Sequence, residues 1–286
     1  MEQQILQFFE NLRNPFLTVV SSFFSLMGET LPVVAIVCIL YWLVDKKLGE
    51  KLIVVSFSSM SVNALVKGLV ARPRPFVKGV VSRVELDNPL ISTIELEEYA
   101  SFPSGHSQMS AGAFTIFGLH AKKGWLWGIL IPATLLVMLS RLYFGVHYPT
   151  DVLVGAACGA AFALFWDWIY RKHENKRFIV LAAFAALSLI FIFLSPTKSM
   201  VELSGCTIAA AIALPVEDKW IKFEKQKKWW HGALRAVIGL GLIAAVFVLF
   251  AIVPGHDHLA MKFFKYFSLV LVGALAAPAL FKKFKI

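Results

Sequence analysis

The chain has 286 residues, of which 58% are hydrophobic and only 16% are charged. Soluble domains average about 45–50% apolar and about 25% charged residues, so the composition argues against a soluble globular protein and excludes disordered, collagen-like and disulfide-scaffold chains. A formal net charge of +10 would suit nucleic-acid binding. The Lys and Arg residues lie between apolar runs instead of along one face, however, so we expect no nucleic-acid partner.

The apolar runs predict an all-α fold, a polytopic transmembrane helix bundle. In chain order, residues 2–13 carry apolar side chains at helical spacing among charged ones, which is typical of a helix in the membrane interface. The stretch 16–27 is apolar but too short to cross alone, so its path stays open. About nine crossings then follow, near 30–44, 51–71, 104–121, 124–143, 150–170, 178–195, 199–216, 232–253 and 264–281.

The charges between the spans predict the orientation, because Lys and Arg in short loops stay on the cytoplasmic side of a membrane. With nine spans, five basic segments fall on one side, and we assign that side to the cytoplasm; they are 46–51, 122–123, 171–177, 219–228 and 282–285. The outer side then receives the N-terminus and the long segment 72–103. We expect an integral protein of a bacterial cell membrane.

Polar residues at the outer ends of the spans form three clusters, and each is a site hypothesis because ionisable groups at membrane depth are costly. In the first cluster, Lys67 and Arg74 are seven residues apart, so both cations lie on one helix face if the helix continues to Pro73. Ammonium and guanidinium groups together suit phosphate oxygens. The alternative is a basic helix end whose side chains reach the interface.

The second cluster, Pro103-Ser104-Gly105-His106, opens an apolar helix, where free backbone N–H groups and the positive helix end favour an anion. His106 is then a proton donor or a phosphate ligand. Alternatively, Ser104 only caps the helix and His106 is an interfacial histidine.

The third cluster joins Arg141 to His147 and Asp151 across a turn that opens the next span. A carboxylate in this position can hold one imidazole nitrogen as N–H and leave the other free to attack. Alternatively, Thr150 and Asp151 only cap the helix, although capping and catalysis are compatible for Asp151.

All three clusters fall on the same predicted face, and three cations, two histidines and one carboxylate make a phosphate site. We expect no metal and no cofactor, because Glu95, Glu97 and Glu98 lie in the loop of segment 72–103 and outside the clusters. The run His256-Asp257-His258 looks like a metal motif, but no further ligand is near it in the sequence. The single cysteines, Cys38, Cys158 and Cys206, predict neither a disulfide nor a metal site.

Together, the clusters carry a family resemblance. The blocks are Lys67, six residues and Arg74-Pro75; then Pro103-Ser104-Gly105-His106; then Ser140-Arg141, five residues, His147, three residues and Asp151. In this order and spacing they resemble the signature of the type 2 phosphatidic acid phosphatase family. The signature is also similar to that of vanadium-dependent haloperoxidases, which are soluble.

The resemblance implies a hydrolase that acts on a phosphomonoester or diphosphate, usually of a lipid, through a phosphohistidine intermediate. It makes His147 the nucleophile and Asp151 its orienting carboxylate, while His106 protonates the leaving oxygen and then activates water. It assigns the phosphoryl oxygens to Lys67, Arg74, Ser104, Gly105 and Arg141.

We therefore expect three regions: an interfacial N-terminal helix region at 1–29, a phosphatase and haloperoxidase-like core at 30–170, and additional transmembrane helices at 171–286. The expected function is an integral-membrane phosphatase of a lipid such as phosphatidic acid, phosphatidylglycerol phosphate, undecaprenyl diphosphate or sphingosine phosphate, with the active site facing outside the cytoplasm. The alternatives are a phosphatase of a soluble ester such as glucose 6-phosphate, and a lipid transporter. The substrate, the role of the helices after residue 177 and the oligomeric state stay open.

Overall fold

The computed structural model describes residues 1–84, 100–224, 228–255 and 257–286. Within these ranges the chain forms α-helices with short 3₁₀ and π segments and no β-strand, so the predicted all-α class is confirmed. The helices are α1 Glu2–Asn11, α2 Pro15–Leu26, α3 Thr30–Ile39, α4 Lys46–Val70, α5 Gly105–Ala121, α6 Trp127–Tyr143, α7 Pro149–Lys172, α8 Arg177–Leu194, α9 Lys198–Val216, α10 Trp229–Ile252, α11 Leu259–Leu271 and α12 Ala277–Lys283.

Seven helices in the described part of the chain are long and apolar enough to cross a membrane: Lys46–Val70, Gly124–Tyr143, Pro149–Lys172, Glu174–Leu194, Lys198–Ile221, Trp229–Ile252 and Leu259–Lys283. They correspond to seven of the nine predicted spans. The other two predictions, 30–44 and 104–121, coincide with shorter helices, namely α3 with its π segment Leu40–Val44, and α5. The count of nine crossings stays a prediction.

Two compact units divide the chain. The first comprises Met1–Ala35 and Val66–Asp167 and contains every residue that the three sequence clusters contribute. The second comprises Ile36–Leu65 and Trp168–Ile286, and in it α9 packs against α8 and α11. The three predicted regions with limits at 29 and 170 stay a prediction.

The second unit holds buried ion pairs of its own. Glu50 accepts hydrogen bonds from the Tyr170 hydroxyl at 2.6 Å and from Arg177 Nε at 2.9 Å. The carboxylate of Glu217 pairs with Lys46 at 2.6 Å. A buried charge is stable only when it is paired, so these contacts explain how apolar helices accommodate acidic side chains.

Helix α1 packs against the C-terminal part of α6 and the start of α7 in the first unit. Its Leu6 is fully buried, whereas Phe8 on another face is 59% exposed. At the start of the helix, Glu2 accepts hydrogen bonds from the backbone N–H and hydroxyl of Thr150. The pocket that receives Leu6 consists of Val81, Met138, Leu142, Tyr148 and Val152.

Helices α5 and α7 approach each other through glycines of α7. A Cβ atom on Gly159 would lie 2.0 Å from the Gln108 carbonyl oxygen, and one on Gly155 would lie 2.4 Å from the Ser104 carbonyl oxygen. Both positions therefore exclude a side chain. The close approach lets the Ser104 N–H donate to the Asp151 carbonyl oxygen at 3.0 Å, so the N-terminal ends of the two helices lie side by side.

Candidate active site

Helix ends and the loops beside them supply all the predicted site residues. Lys67 lies in the last turns of α4, and Arg141 lies in the last turn of α6. The start of α5 carries Ser104 as its N-cap, followed by Gly105 and His106. The remaining residues are Arg74 in the segment after α4, His147 in the α6–α7 connection and Asp151 in the first turn of α7.

His147 lies between a cation and a carboxylate. Its Nε2 is 3.4 Å from an Arg74 guanidinium nitrogen, and its Nδ1 is 3.6 Å from Asp151 Oδ2. Guanidinium nitrogens only donate hydrogen bonds, so Nε2 is the acceptor and the neutral ring carries its proton on Nδ1, facing the carboxylate. The separation of 3.6 Å is too long for a hydrogen bond, and such contacts in unliganded sites are often long.

The electrostatic surroundings keep the His147 ring neutral. The side chain is 3% exposed, and burial together with the guanidinium groups of Arg74 and Arg141 holds the pKa of His147 well below its ordinary value. Lys67 and His106 act in the same direction. A neutral ring with a lone pair on Nε2 has the form that a nucleophilic histidine needs.

Asp151 is fixed from two directions. Its Oδ2 accepts a hydrogen bond from the Tyr148 N–H at 2.8 Å, which caps α7, and its Oδ1 accepts one from Arg72 at 2.8 Å. The capping interpretation of Asp151 therefore holds alongside its contact with His147. Arg72 also donates to Glu2 of α1 at 2.7 Å. Our sequence interpretation gave neither Arg72 nor Glu2 a role, because their pairing spans 70 positions of the chain.

Ser104 is fully buried, and its hydroxyl accepts hydrogen bonds from the Ser107 backbone N–H at 3.4 Å and from the Ser107 hydroxyl at 3.0 Å. Ser104 therefore caps α5, and its predicted contact with phosphate stays a prediction. Its position at the start of α5 also puts the positive end of that helix on the same side as His106 and Asp151.

The last turn of α2 and the turn that follows it contribute contacts that the sequence interpretation missed. Glu29 lies 2.9 Å from His106 Nε2, and the Ser25 hydroxyl accepts a hydrogen bond from Arg141 at 2.6 Å. A sequence signal for Glu29 did exist, since it is the only charged residue between Arg13 and Asp45 in an otherwise apolar stretch.

Across the described ranges there is no group of three or more His, Cys, Asp or Glu residues that could hold a metal ion. The acids Glu95, Glu97 and Glu98 lie outside the described residues, and so does His256 of the predicted loop motif. The metal-free interpretation therefore stays a prediction.

The fold and the site define a polytopic helical membrane protein with a cationic, histidine-centred site. Residues 48–178 match the family model of the PAP2 superfamily, and residues 201–286 match the model of the PAP2 superfamily phosphatase transmembrane extension. The chain belongs to the PAP2 superfamily, the family that its three sequence blocks resemble. It is an integral membrane protein.

Three similar proteins illustrate the relationship. The bacitracin transport permease protein BcrC of Bacillus licheniformis is 48% identical over 81 residues, which are 28% of this chain and 38% of that protein. The decaprenylphosphoryl-5-phosphoribose phosphatase of Mycobacterium tuberculosis is 32% identical over 125 residues, 43% of this chain and 61% of that protein. The chain thus spans less than two thirds of either relative. The crystal structure of Aquifex aeolicus LpxE has 26% identity and a TM-score of 0.47, and the match covers 57% of this chain and 92% of that one.

Proposed function

We propose that the protein is an integral-membrane phosphatase that hydrolyses a lipid phosphate monoester or diphosphate through a phosphohistidine intermediate. The observation that carries the proposal is the position of the buried His147 ring, with Nε2 toward Arg74 and Nδ1 toward Asp151. A nucleophilic nitrogen beside a guanidinium group is suited to an anionic phosphoryl centre, because the cation attracts the oxygens that the nitrogen must approach.

In the first step, His147 Nε2 attacks phosphorus and the bond to the lipid oxygen breaks. The departing oxygen takes a proton from protonated His106. In the second step, His106 removes a proton from water, the water oxygen attacks phosphorus, and the phosphorus–nitrogen bond breaks to release phosphate. Lys67, Arg74 and Arg141 stabilise the negative charge that spreads over the phosphoryl oxygens in both transition states. Ser104 and Gly105 belong to the same predicted oxygen-binding set.

We further propose that the site faces the outside of a bacterial cytoplasmic membrane. The helices that carry the site have basic residues at their opposite ends: Lys46 and Lys47 begin α4, Lys122 and Lys123 follow α5, and Arg171 and Lys172 end α7. Because basic residues are retained in the cytoplasm, this polarity supports an outward-facing site.

The expected substrate is a lipid, because a site at the end of membrane helices receives a phosphate whose apolar tail stays in the bilayer. Phosphatidic acid, phosphatidylglycerol phosphate, undecaprenyl diphosphate and sphingosine phosphate are the candidates, and the name of the Mycobacterium relative adds weight to polyprenyl-linked phosphates. A soluble ester such as glucose 6-phosphate is the alternative substrate. A lipid transporter is the second candidate function, and the name of the Bacillus relative, a bacitracin transport permease protein, refers to transport.

Phosphate release by the purified protein in detergent with EDTA tests the proposal. The panel contains the four lipids and glucose 6-phosphate, and the proteins are wild type, His147→Ala and the control His258→Ala, which removes an exposed histidine. We expect chelator-resistant release that His147→Ala abolishes and His258→Ala retains. Equal rates in wild type and His147→Ala would overturn the site, while no release from any substrate would favour transport.

A further inference from the structure

The end of α2 and the α2–α3 turn touch the site at two predicted residues. Ser25, in the last turn of α2, accepts the hydrogen bond from Arg141. The α2–α3 turn lies directly behind His106, because a Cβ on Gly28 would lie 2.9 Å from the His106 Cβ. Only glycine fits there without displacing the histidine. The next residue, Glu29, is 4% exposed, and its Oε1 lies 2.9 Å from His106 Nε2. The turn therefore packs closely against the His106 side chain.

Among the described charged groups that face the His106 ring, Glu29 is the acidic one. Arg141 faces it from α6, Lys67 from α4 and His147 from the α6–α7 connection. A buried carboxylate is costly unless it is paired, and here its hydrogen-bond partner is the imidazole. The negative charge favours a protonated His106 ring within a cluster of cations that opposes it.

The hydrogen bond also decides which ring nitrogen carries a proton in the neutral state. An ionised carboxylate only accepts hydrogen bonds, so His106 Nε2 must be the donor toward Glu29. In the neutral ring, Nδ1 then carries the lone pair. In the charged ring, Nδ1 carries the second proton. The proton that moves to the leaving oxygen, and later comes from water, is therefore the one on Nδ1.

We propose that Glu29 is a positioning residue that holds the Nε2 proton of His106 and so assigns acid–base transfer to Nδ1. This proposal rests on the proposed phosphatase function and extends it to a second carboxylate–histidine pair, supplied by a turn that the sequence placed outside the catalytic core. Asp151 faces the His147 ring in a similar way, although there the nitrogen that faces the carboxylate is Nδ1.

The test compares two substrates with different needs for a general acid. Phosphatidic acid has an alkoxide leaving group that requires a proton, whereas p-nitrophenyl phosphate has a leaving group that departs without one. For Glu29→Gln we expect kcat/KM for phosphatidic acid to fall by about 100-fold, near the lower limit for losing a general acid, and that for p-nitrophenyl phosphate to fall less than about 5-fold. The alkaline limb of the phosphatidic acid profile should move to lower pH, because the amide no longer stabilises a protonated ring.

Two further variants make the comparison sharp. Glu29→Asp keeps the anion but shortens the side chain by one methylene. We therefore expect a smaller loss of kcat/KM for phosphatidic acid, again with less effect on the aryl substrate. If Glu29→Gln does not fold, Glu29→Asp provides the test. Glu10→Gln makes the same chemical change in α1 at a carboxylate bonded to Ser82, and it should leave both rates unchanged. Equal losses on both substrates, or an unmoved alkaline limb, would overturn the proposal.

The proposed function and the role of Glu29 fail in different ways. If His147→Ala keeps the wild-type rate on both substrates, the phosphohistidine function is wrong and the role of Glu29 falls with it. If His147→Ala abolishes both rates and Glu29→Gln changes neither, only the role of Glu29 is wrong.

Discussion

Substitution of Gly159 by alanine should separate the two helices that carry His106 and Asp151. The new Cβ would begin 2.0 Å from the Gln108 carbonyl oxygen, and an ordinary contact needs at least 3.4 Å, so the backbones must move apart by about 1.4 Å. Such overpacking costs about 1–3 kcal/mol of stability. A displacement of about 1 Å in a catalytic group costs about 100-fold in rate.

The control is Gly128→Ala, which makes the same change within α6 where a Cβ would meet no atom within 4 Å. That substitution should be neutral or stabilising, by up to about 1 kcal/mol, because alanine is the better helix former. The assay is the thermal unfolding midpoint in detergent together with kcat and KM for the preferred substrate. Equal unfolding midpoints for the two variants would refute the close helix contact, and a destabilised Gly159→Ala with wild-type kcat would refute its role in placing the site.

Three further perturbations have defined outcomes. Arg72→Met removes a charge-assisted hydrogen bond to Asp151 that is worth about 1.5–3 kcal/mol. The kcat should therefore fall by about 10- to 100-fold with little change in KM. A rise in KM alone would instead make Arg72 a substrate ligand. Leu6→Ala, at a fully buried position, should cost about 2–5 kcal/mol in unfolding experiments, and Phe8→Ala less than about 1 kcal/mol; equal effects would contradict the docking of α1. Hydrogen bonds from Ser82 lower the pKa of Glu10 below 4.5, so its stabilising contribution is present above pH 4.5 and is lost as the pH falls through the lowered value. The difference in unfolding midpoint between wild type and Glu10→Gln should therefore shrink as the pH falls below 4.5, and a constant difference would refute this.

Local pattern was enough to predict most helices. The predicted spans 104–121 and 150–170 correspond to α5 at Gly105–Ala121 and α7 at Pro149–Lys172, because apolar runs of fixed length end where prolines, glycines and charges begin. The charged groups at the ends of these runs were equally visible, since an ionisable residue beside an apolar span is conspicuous in any sequence.

The partners of Glu29 and Glu2 could not be predicted from local sequence pattern. Their hydrogen bonds to His106 and Arg72 join residues 77 and 70 positions apart, and no spacing rule links positions on different helices. Glu29 was visible as an isolated charge, but its partner depended on how the α2–α3 turn packs against α5. The stretch 16–27, judged too short to cross, belongs to the helix that leads into this turn.

The sequence by itself determined the helical class, the apolar spans and the three polar blocks at their ends, because each follows from side-chain chemistry and period within one segment. Only the tertiary structure decided which nitrogen of His147 faces Asp151, which carboxylate meets His106, and how closely α5 approaches α7. These depend on distances between segments, which packing sets: glycines without side chains let two backbones meet, and buried charges remain only where a partner from another segment reaches them.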